Sequence, residues 1–110
     1  MKKHRLYLYF MDLFKPLNIS LADILELAER NPLALFNTVK KHIEQELGDI
    51  KDVKVYKRYF NPERMDIVVE YFVECKMGEV SVKLVYTDNL SRTLEEYYRS
   101  EKKSSFTEKH

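Results

Sequence analysis

The chain has 110 residues, an apolar content of 45%, and 19 Lys and Arg against 18 Asp and Glu. This length holds a single hydrophobic core, and the composition excludes disorder and a cysteine-rich scaffold. The net charge of +1 lacks the domain-wide basic excess typical of nucleic-acid-binding proteins. A lone cysteine, Cys75, excludes an intramolecular disulfide and favours a reducing compartment. Scarce glycine, one glutamine and abundant Lys and Glu resemble the composition of proteins from hot environments.

The first predicted element is a strand over Arg5–Met11, in which Leu6, Leu8 and Phe10 share one face. A basic start followed by an apolar run is also the order found in signal peptides. Here Asp12 interrupts the run and no pair of small residues follows as a cleavage site. We therefore expect a cytoplasmic protein. No membrane span is expected, because no apolar stretch approaches the ~18 residues that one requires.

Two helices are predicted next, after a break at Pro16 and Asn18. Ser20 begins the first helix as part of a capping box with Asp23, and the helix ends at Asn31. The same Asn31 caps the second helix. Its apolar stripe is followed by Gly48 as the terminating residue, and a half-buried His42 flanks the stripe. The stripe consists of Phe36, Val39, Ile43 and Leu47.

Alternating apolar residues between positions 53 and 87 predict three strands, at 53–60, 65–77 and 80–87, joined as an antiparallel meander. In the middle strand the odd-numbered side chains, from Met65 to Cys75, form the interior. If Lys76 opposes Glu79 across the second turn, then Glu74 opposes Ser81 and Phe72 opposes Lys83.

A short last helix starts near Leu90, and residues 100–110 are expected to form a flexible polar tail. The predicted fold is a single α+β domain over residues 1–99 in the order β-α-α-β-β-β-α. It contains a four-stranded, mainly antiparallel sheet with helices packed on it.

The second face of this sheet carries more apolar side chains than a solvated face should. This observation favours a small intracellular binding protein without catalytic activity or cofactor, which binds a protein partner or a second copy of itself. The expected interface residues are Tyr56, Phe60, Val68 and Phe72.

An alternative function is nucleic-acid binding by the basic and aromatic segment 54–60. Lys54, Tyr56, Arg58 and Phe60 would project from one strand face, with Lys54, Lys57 and Arg58 as phosphate contacts. The order α-β-β-β-α over residues 32–99 resembles the double-stranded-RNA-binding domain. That resemblance implies a cationic cluster opening the last helix, where this sequence has only Arg92.

A second alternative comes from Asp66, Glu74 and Lys76, which resemble the D…(D/E)-x-K signature of the PD-(D/E)XK nucleases. The resemblance implies a Mg²⁺ ion held by the two carboxylates and a lysine that activates water. That family brings the carboxylates together with a hairpin, whereas positions 68–73 here read as continuous strand. We therefore expect Asp66 and Glu74 to lie about 26 Å apart.

No residue spacing in the sequence predicts a metal site, a cofactor site or a catalytic residue. His4, His42 and His110 have no paired spacing with each other or with a carboxylate on one helix face. Cys75 is expected to be a buried, unreactive thiol. With glycine only at positions 48 and 78, a glycine-rich phosphate loop is excluded.

Overall fold

A computed structural model describes residues 4–19 and 21–108, without the side chains at positions 21, 23–25, 29, 57 and 100–108. The elements are β1 (Arg5–Phe10), β2 (Leu13–Leu17), α1 (Leu21–Arg30), α2 (Pro32–Leu47), β3 (Ile50–Asn61), β4 (Asp66–Cys75), β5 (Gly78–Thr87) and α3 (Leu90–Glu108). This is the expected α+β arrangement with one additional strand. Ser20, the predicted cap of α1, lies outside the described residues.

The strands form one antiparallel sheet in the order β2-β1-β5-β4-β3. The prediction of four strands was wrong because the segment after β1 returns and pairs with it as β2. Pro16 was interpreted as a break, but proline is compatible with an edge strand, whose outer side needs no N–H donor. The turn residues Met11 and Asp12 have φ angles of 49° and 63° without glycine, so the usual sequence signal of a tight hairpin is missing.

The second helix, α2, begins and ends as predicted. The Asn31 side chain accepts a hydrogen bond from the Ala34 amide at 3.1 Å, and Pro32 occupies the first helical position. At the other end Gly48, with φ of 81°, donates its amide to the Glu44 carbonyl at 2.8 Å. The buried residues of the helix are Leu35, Phe36, Val39, Ile43 and Leu47.

The main core lies between one face of the sheet and helices α1 and α2. The middle strand β4 is uninterrupted, as predicted, and its odd-numbered side chains from Ile67 to Cys75 are buried in this core. The prediction that Met65 belongs to this interior was wrong, because Met65 lies in the turn before the strand, with φ of 60°, and is 41% exposed. Tyr71 anchors the strand to α2: its ring packs against Phe36 with centroids 4.9 Å apart, and its hydroxyl donates to the Pro32 carbonyl. Burial raises the pKa of Tyr71, so its hydroxyl stays protonated as a donor.

The opposite face of the sheet is partly covered by α3. Leu94 and Tyr97 of the helix form a second, smaller core with Val68 of β4 and Val85 of β5. The molecule therefore has three layers, with α1 and α2 on one side of the sheet and α3 on the other. The last helix thus accounts for part of the apolar second face that the sequence predicted.

Strand β3 is irregular, and this changes the faces on which its residues lie. Its pairing with β4 shifts between Val55 and Lys57, so that Tyr56 is an extra residue in a β-bulge. Beyond the bulge, Arg58 lies opposite Val69 and Phe60 lies opposite Ile67, whose side chains point into the main core. The prediction that residues 54, 56, 58 and 60 share one face was therefore wrong.

The β4–β5 hairpin turns one residue earlier than predicted. Cys75 pairs directly with Gly78, so Glu74 lies opposite Glu79, and Phe72 lies opposite Ser81. The expected pairing of Lys76 with Glu79 was wrong because the two turn residues are Lys76 and Met77, not Met77 and Gly78. Gly78 has φ of 98°, which suits the end of such a turn.

Helix α3 continues past the predicted end of the last helix, to Glu108. The side chains from position 100 onward are outside the description, so the expectation of a flexible tail over residues 100–110 stays a prediction. Among the helices of the described chain, none combines the length and apolarity needed to cross a bilayer.

Candidate functional site

Two of the four predicted interface residues meet on the second face of the sheet, beside the bulge. The rings of Tyr56 and Phe72 lie edge to face, with centroids 4.5 Å apart and planes at 87°. Tyr56 is 67% exposed although its ring is held in place by this contact. Of the other two residues, Val68 is buried beneath α3 and Phe60 packs against the main core. We call Tyr56 and Phe72 the aromatic pair.

Three carboxylates form a line across the sheet next to the aromatic pair. Asp52 lies opposite Glu74, which in turn lies opposite Glu79, and all three residues are exposed. We call them the acidic row. Glu74 follows Phe72 by two positions along β4 and therefore shares its face. Like charges directly opposite each other are unfavourable in a sheet, so a cationic group bound at this row would relieve their repulsion.

The residues predicted to contact nucleic acid do not form one surface. Lys54 is exposed on the face of the aromatic pair, opposite Phe72. Arg58 lies beyond the bulge on the other face, where its guanidinium donates to the Ala28 carbonyl of α1 at 2.8 Å. The side chain of Lys57 is outside the described residues. The cations are thus divided between two faces, and the nearby acidic row would repel phosphate.

The residues that resemble the nuclease signature are also separated. Asp66 begins β4 and is fully buried, whereas Glu74 lies near the other end of the same strand and is exposed. Lys76 lies in the following turn, with its Nζ 3.7 Å from a carboxylate oxygen of Asp49. No reversal brings the two carboxylates together, so they cannot share one Mg²⁺ ion within this chain.

A polar cluster under α3 joins β4 to β5. Lys83, only 8% exposed, places its Nζ 3.2 Å from Glu70 and 5.4 Å from the ring centroid of Tyr9. Glu70 also accepts hydrogen bonds from Ser81 at 2.5 Å and from Tyr97. Burial by itself would raise the pKa of Glu70, but these hydrogen bonds and the charge of Lys83 outweigh it and lower the pKa. Because these groups satisfy one another, the cluster is structural.

A second cluster lies at the end of the sheet where β1 and β4 begin and β5 ends. His4, Asp66 and Asp88 each place one potential ligand atom within 4.8 Å of the other two. The Nε2 atom of His4 is 3.9 Å from Oδ1 of Asp66 and 2.9 Å from the Arg64 carbonyl. The imidazole ring stacks on Tyr86, with centroids 5.2 Å apart. We call this the His–Asp–Asp cluster.

Asp66 is the centre of a hydrogen-bond network in this cluster. Its Oδ2 atom pairs with the Arg64 guanidinium and accepts a hydrogen bond from the Thr93 hydroxyl at 3.0 Å. Arg64 also pairs with Glu96 on α3. The Oδ1 atom of Asp66, by contrast, is buried and has no hydrogen-bond partner, although buried carboxylate oxygens almost always have one.

Sequence reasoning missed the His–Asp–Asp cluster because its members are far apart in the chain and come together only through the sheet. The structure itself marks the site with a local feature: Met65, immediately before Asp66, has φ of 60° without being glycine. Such backbone conformations are uncommon for residues with a side chain and often occur near functional sites, but they cannot be read from sequence.

Comparison with known proteins gives no match among protein-family models, curated proteins or solved structures.

Proposed function

We propose that this chain is a binding protein without catalytic activity and that it self-associates through the aromatic pair and the acidic row. The observation that carries this proposal is the 67% exposure of Tyr56, whose ring is nevertheless fixed edge-on against Phe72. An ordered, exposed aromatic side chain loses little conformational freedom on binding. Such residues contribute a large share of the binding energy at protein interfaces.

The charges around the aromatic pair favour a second copy of this chain as the partner. The acidic row lies on one side of the pair, and the exposed Lys54 lies opposite Phe72 on the neighbouring strand. A two-fold symmetric contact would place the same surface on both copies, so that Lys54 of each faces the carboxylates of the other. This arrangement would give the acidic row an ion pair, which it does not have among the described residues.

Association by the outer edge of β3, as a continuation of the sheet, is less favourable than association by this face. The strand has register shifts at Ile50/Asp52 and Val55/Lys57, and its exposed residues include Lys51 and Lys54. Bulges and lysines on an edge strand are features that prevent pairing with another strand. The proposed contact therefore uses the side chains of the face rather than the backbone of the edge.

The test is the molar mass in solution, measured by sedimentation equilibrium over a range of protein concentrations. We expect reversible dimerisation, with the dissociation constant raised at least about tenfold by Tyr56→Ala. Leu33→Ala is the matched control because Leu33 is 47% exposed on α2, on the other side of the sheet. A protein that stays monomeric at every concentration would contradict the proposal.

Charge exchange tests the orientation of the contact. Lys54→Glu and Glu74→Lys should each weaken dimerisation by placing like charges together, whereas the double variant should restore it. If the double variant is as weak as the two single variants, Lys54 does not face the acidic row of the second copy.

A further inference from the structure

We infer that the His–Asp–Asp cluster is a binding site for a divalent transition-metal ion of the Zn²⁺ class. The ligands would be Nε2 of His4, Oδ1 of Asp66 and one carboxylate oxygen of Asp88. One imidazole and two carboxylates are a mixed nitrogen and oxygen set, which suits Zn²⁺ or Co²⁺ better than Ca²⁺ or Mg²⁺. Three protein ligands leave a coordination position for water or a further ligand.

The first argument is the geometry of the three ligand atoms. They lie within 4.8 Å of one another, and those of His4 and Asp66 are 3.9 Å apart. Ligands at about 2.0–2.2 Å from a tetrahedral zinc ion are separated by roughly 3.4 Å. To bind the ion, the three ligand atoms must therefore move slightly closer together. His4 and Asp88 can make this movement because they lie just outside strand ends, at the start of β1 and the end of β5.

The second argument is the unsatisfied oxygen of Asp66. This residue is fully buried, and its Oδ1 atom, directed toward His4, has no hydrogen-bond partner. An ionised carboxylate in that state is costly, and a bound cation would satisfy it. Its other oxygen, Oδ2, is held by Arg64 and Thr93, so the carboxylate is already oriented by groups behind it.

The third argument is the local charge. Asp66, Asp88 and Glu96 supply three carboxylates around the cluster, against the two guanidinium groups of Arg64 and Arg92. The carboxylates around the cluster therefore outnumber the guanidinium groups by one, which favours binding of a cation. The guanidinium of Arg64 is bonded on its far side to Glu96, which reduces its repulsion of a metal ion.

Metal binding requires one exchange of partners. Nε2 of His4 lies 2.9 Å from the Arg64 carbonyl, to which it donates its proton when no metal is bound. To bind an ion, the imidazole must change tautomer and turn toward Asp66: the Nε2 proton passes to solvent, and Nδ1 takes up a proton from solvent. A cavity of about 350 Å³, lined by His4, Leu17 and Tyr86 among others, adjoins the ring.

The test is calorimetric titration of the untagged, metal-free full chain with Zn²⁺. We expect one ion per chain, and we expect His4→Gln and Asp88→Asn each to weaken binding 10-fold or more. Glutamine can still donate to the Arg64 carbonyl, so the first variant preserves this hydrogen bond. His42→Gln is the matched control, since His42 lies on α2, away from the cluster, and its substitution should leave the affinity unchanged.

A second measurement identifies the ligands independently of affinity. Co²⁺ bound by an imidazole and two carboxylates at low coordination number has a visible absorption spectrum unlike that of aqueous Co²⁺, and this spectrum should be absent from His4→Gln. The inference is overturned if the wild-type chain binds no stoichiometric Zn²⁺. It is also overturned if His4→Gln and Asp88→Asn both bind as tightly as the wild type.

Discussion

Lys83 and Glu70 form a charged pair under α3, and the residues around them make its burial possible. Each charge has several partners: Glu70 accepts from Ser81 and Tyr97, and Lys83 lies over the rings of Tyr9 and Tyr98. Aromatic faces attract a cation without requiring a second carboxylate. The pair therefore links β4, β5 and α3 by groups that would be costly to separate.

Glu70→Gln should lower the free energy of unfolding by about 2 kcal/mol near neutral pH, because Lys83 loses its counter-ion. Folding lowers the pKa of Glu70 below its ordinary value of 4.5, so its contribution is present above that pH and declines as the pH falls through the folded-state pKa. The difference between variant and wild type should therefore shrink in acid. Urea denaturation at about pH 7 and about pH 3 measures this change.

The control for this experiment is Glu95→Gln, which removes an exposed i,i+4 ion pair with Arg99 on the same helix α3. Pairs of this kind contribute only a few tenths of a kcal/mol. Equal destabilisation by Glu70→Gln at both pH values would contradict the assignment of a lowered pKa to Glu70.

Among the secondary-structure elements, β3 contains a bulge at Tyr56 that changes which of its side chains lie on each face of the sheet. Before the bulge, Lys54 lies on the face of the aromatic pair; after it, Arg58 and Phe60 lie on the face of α1 and α2. A side-chain period of two allows such a change only if one residue is inserted. The bulge thus exposes Tyr56 while it brings Phe60 into the main core.

Deletion of Tyr56 should remove the bulge without moving any other residue of β3 to the opposite face. Val55 and Lys57 would become neighbours opposite positions 71 and 70 of β4, which are already consecutive. The pairing becomes regular and Phe60 stays in the main core, so the deletion should cost little more than truncation of the side chain. Tyr56→Ala keeps the register and should cost less than about 1 kcal/mol, because the side chain is mostly exposed.

Urea denaturation of the deletion variant and of Tyr56→Ala, below the concentration at which the chain dimerises, measures the two effects. A loss of about 3 kcal/mol or more for the deletion variant alone would contradict this prediction, because it would mean that Phe60 or Val53 has left the main core.

The elements that could be predicted are those with a complete local signal. The caps Asn31 and Gly48 and the regular stripe between them define α2, and strict alternation defines β4. The bulge at Tyr56 and the strand β2 carry no such signal, because each depends on pairing with a neighbouring strand. For the same reason, only one of the two candidate sites could be predicted in part. The aromatic pair was partly predictable from alternation, whereas His4, Asp66 and Asp88 meet only in the folded sheet.

In the whole molecule, three layers leave the strands unequally protected. The central strand β5 is paired on both sides and has helices over both faces, and β4 is also paired on both sides. At one edge, β2 has a single neighbour, and its hairpin exposes Met11, Leu13 and Phe14 by about half or more. Cooperative stability should therefore be greatest in the centre and lowest in the β1–β2 hairpin.

Native-state hydrogen exchange measures this distribution. In dilute, monomeric protein we expect the slowest amides of β5 and β4 to exchange only through global unfolding, and those of β2 to exchange at least about tenfold faster through local opening. Raising the concentration until the chain dimerises should slow exchange in β3 near Tyr56 and leave β2 unchanged, because the proposed contact is on the β3 side of the sheet. Selective slowing of β2 would instead place the contact between copies at the exposed hairpin, around Leu13 and Phe14.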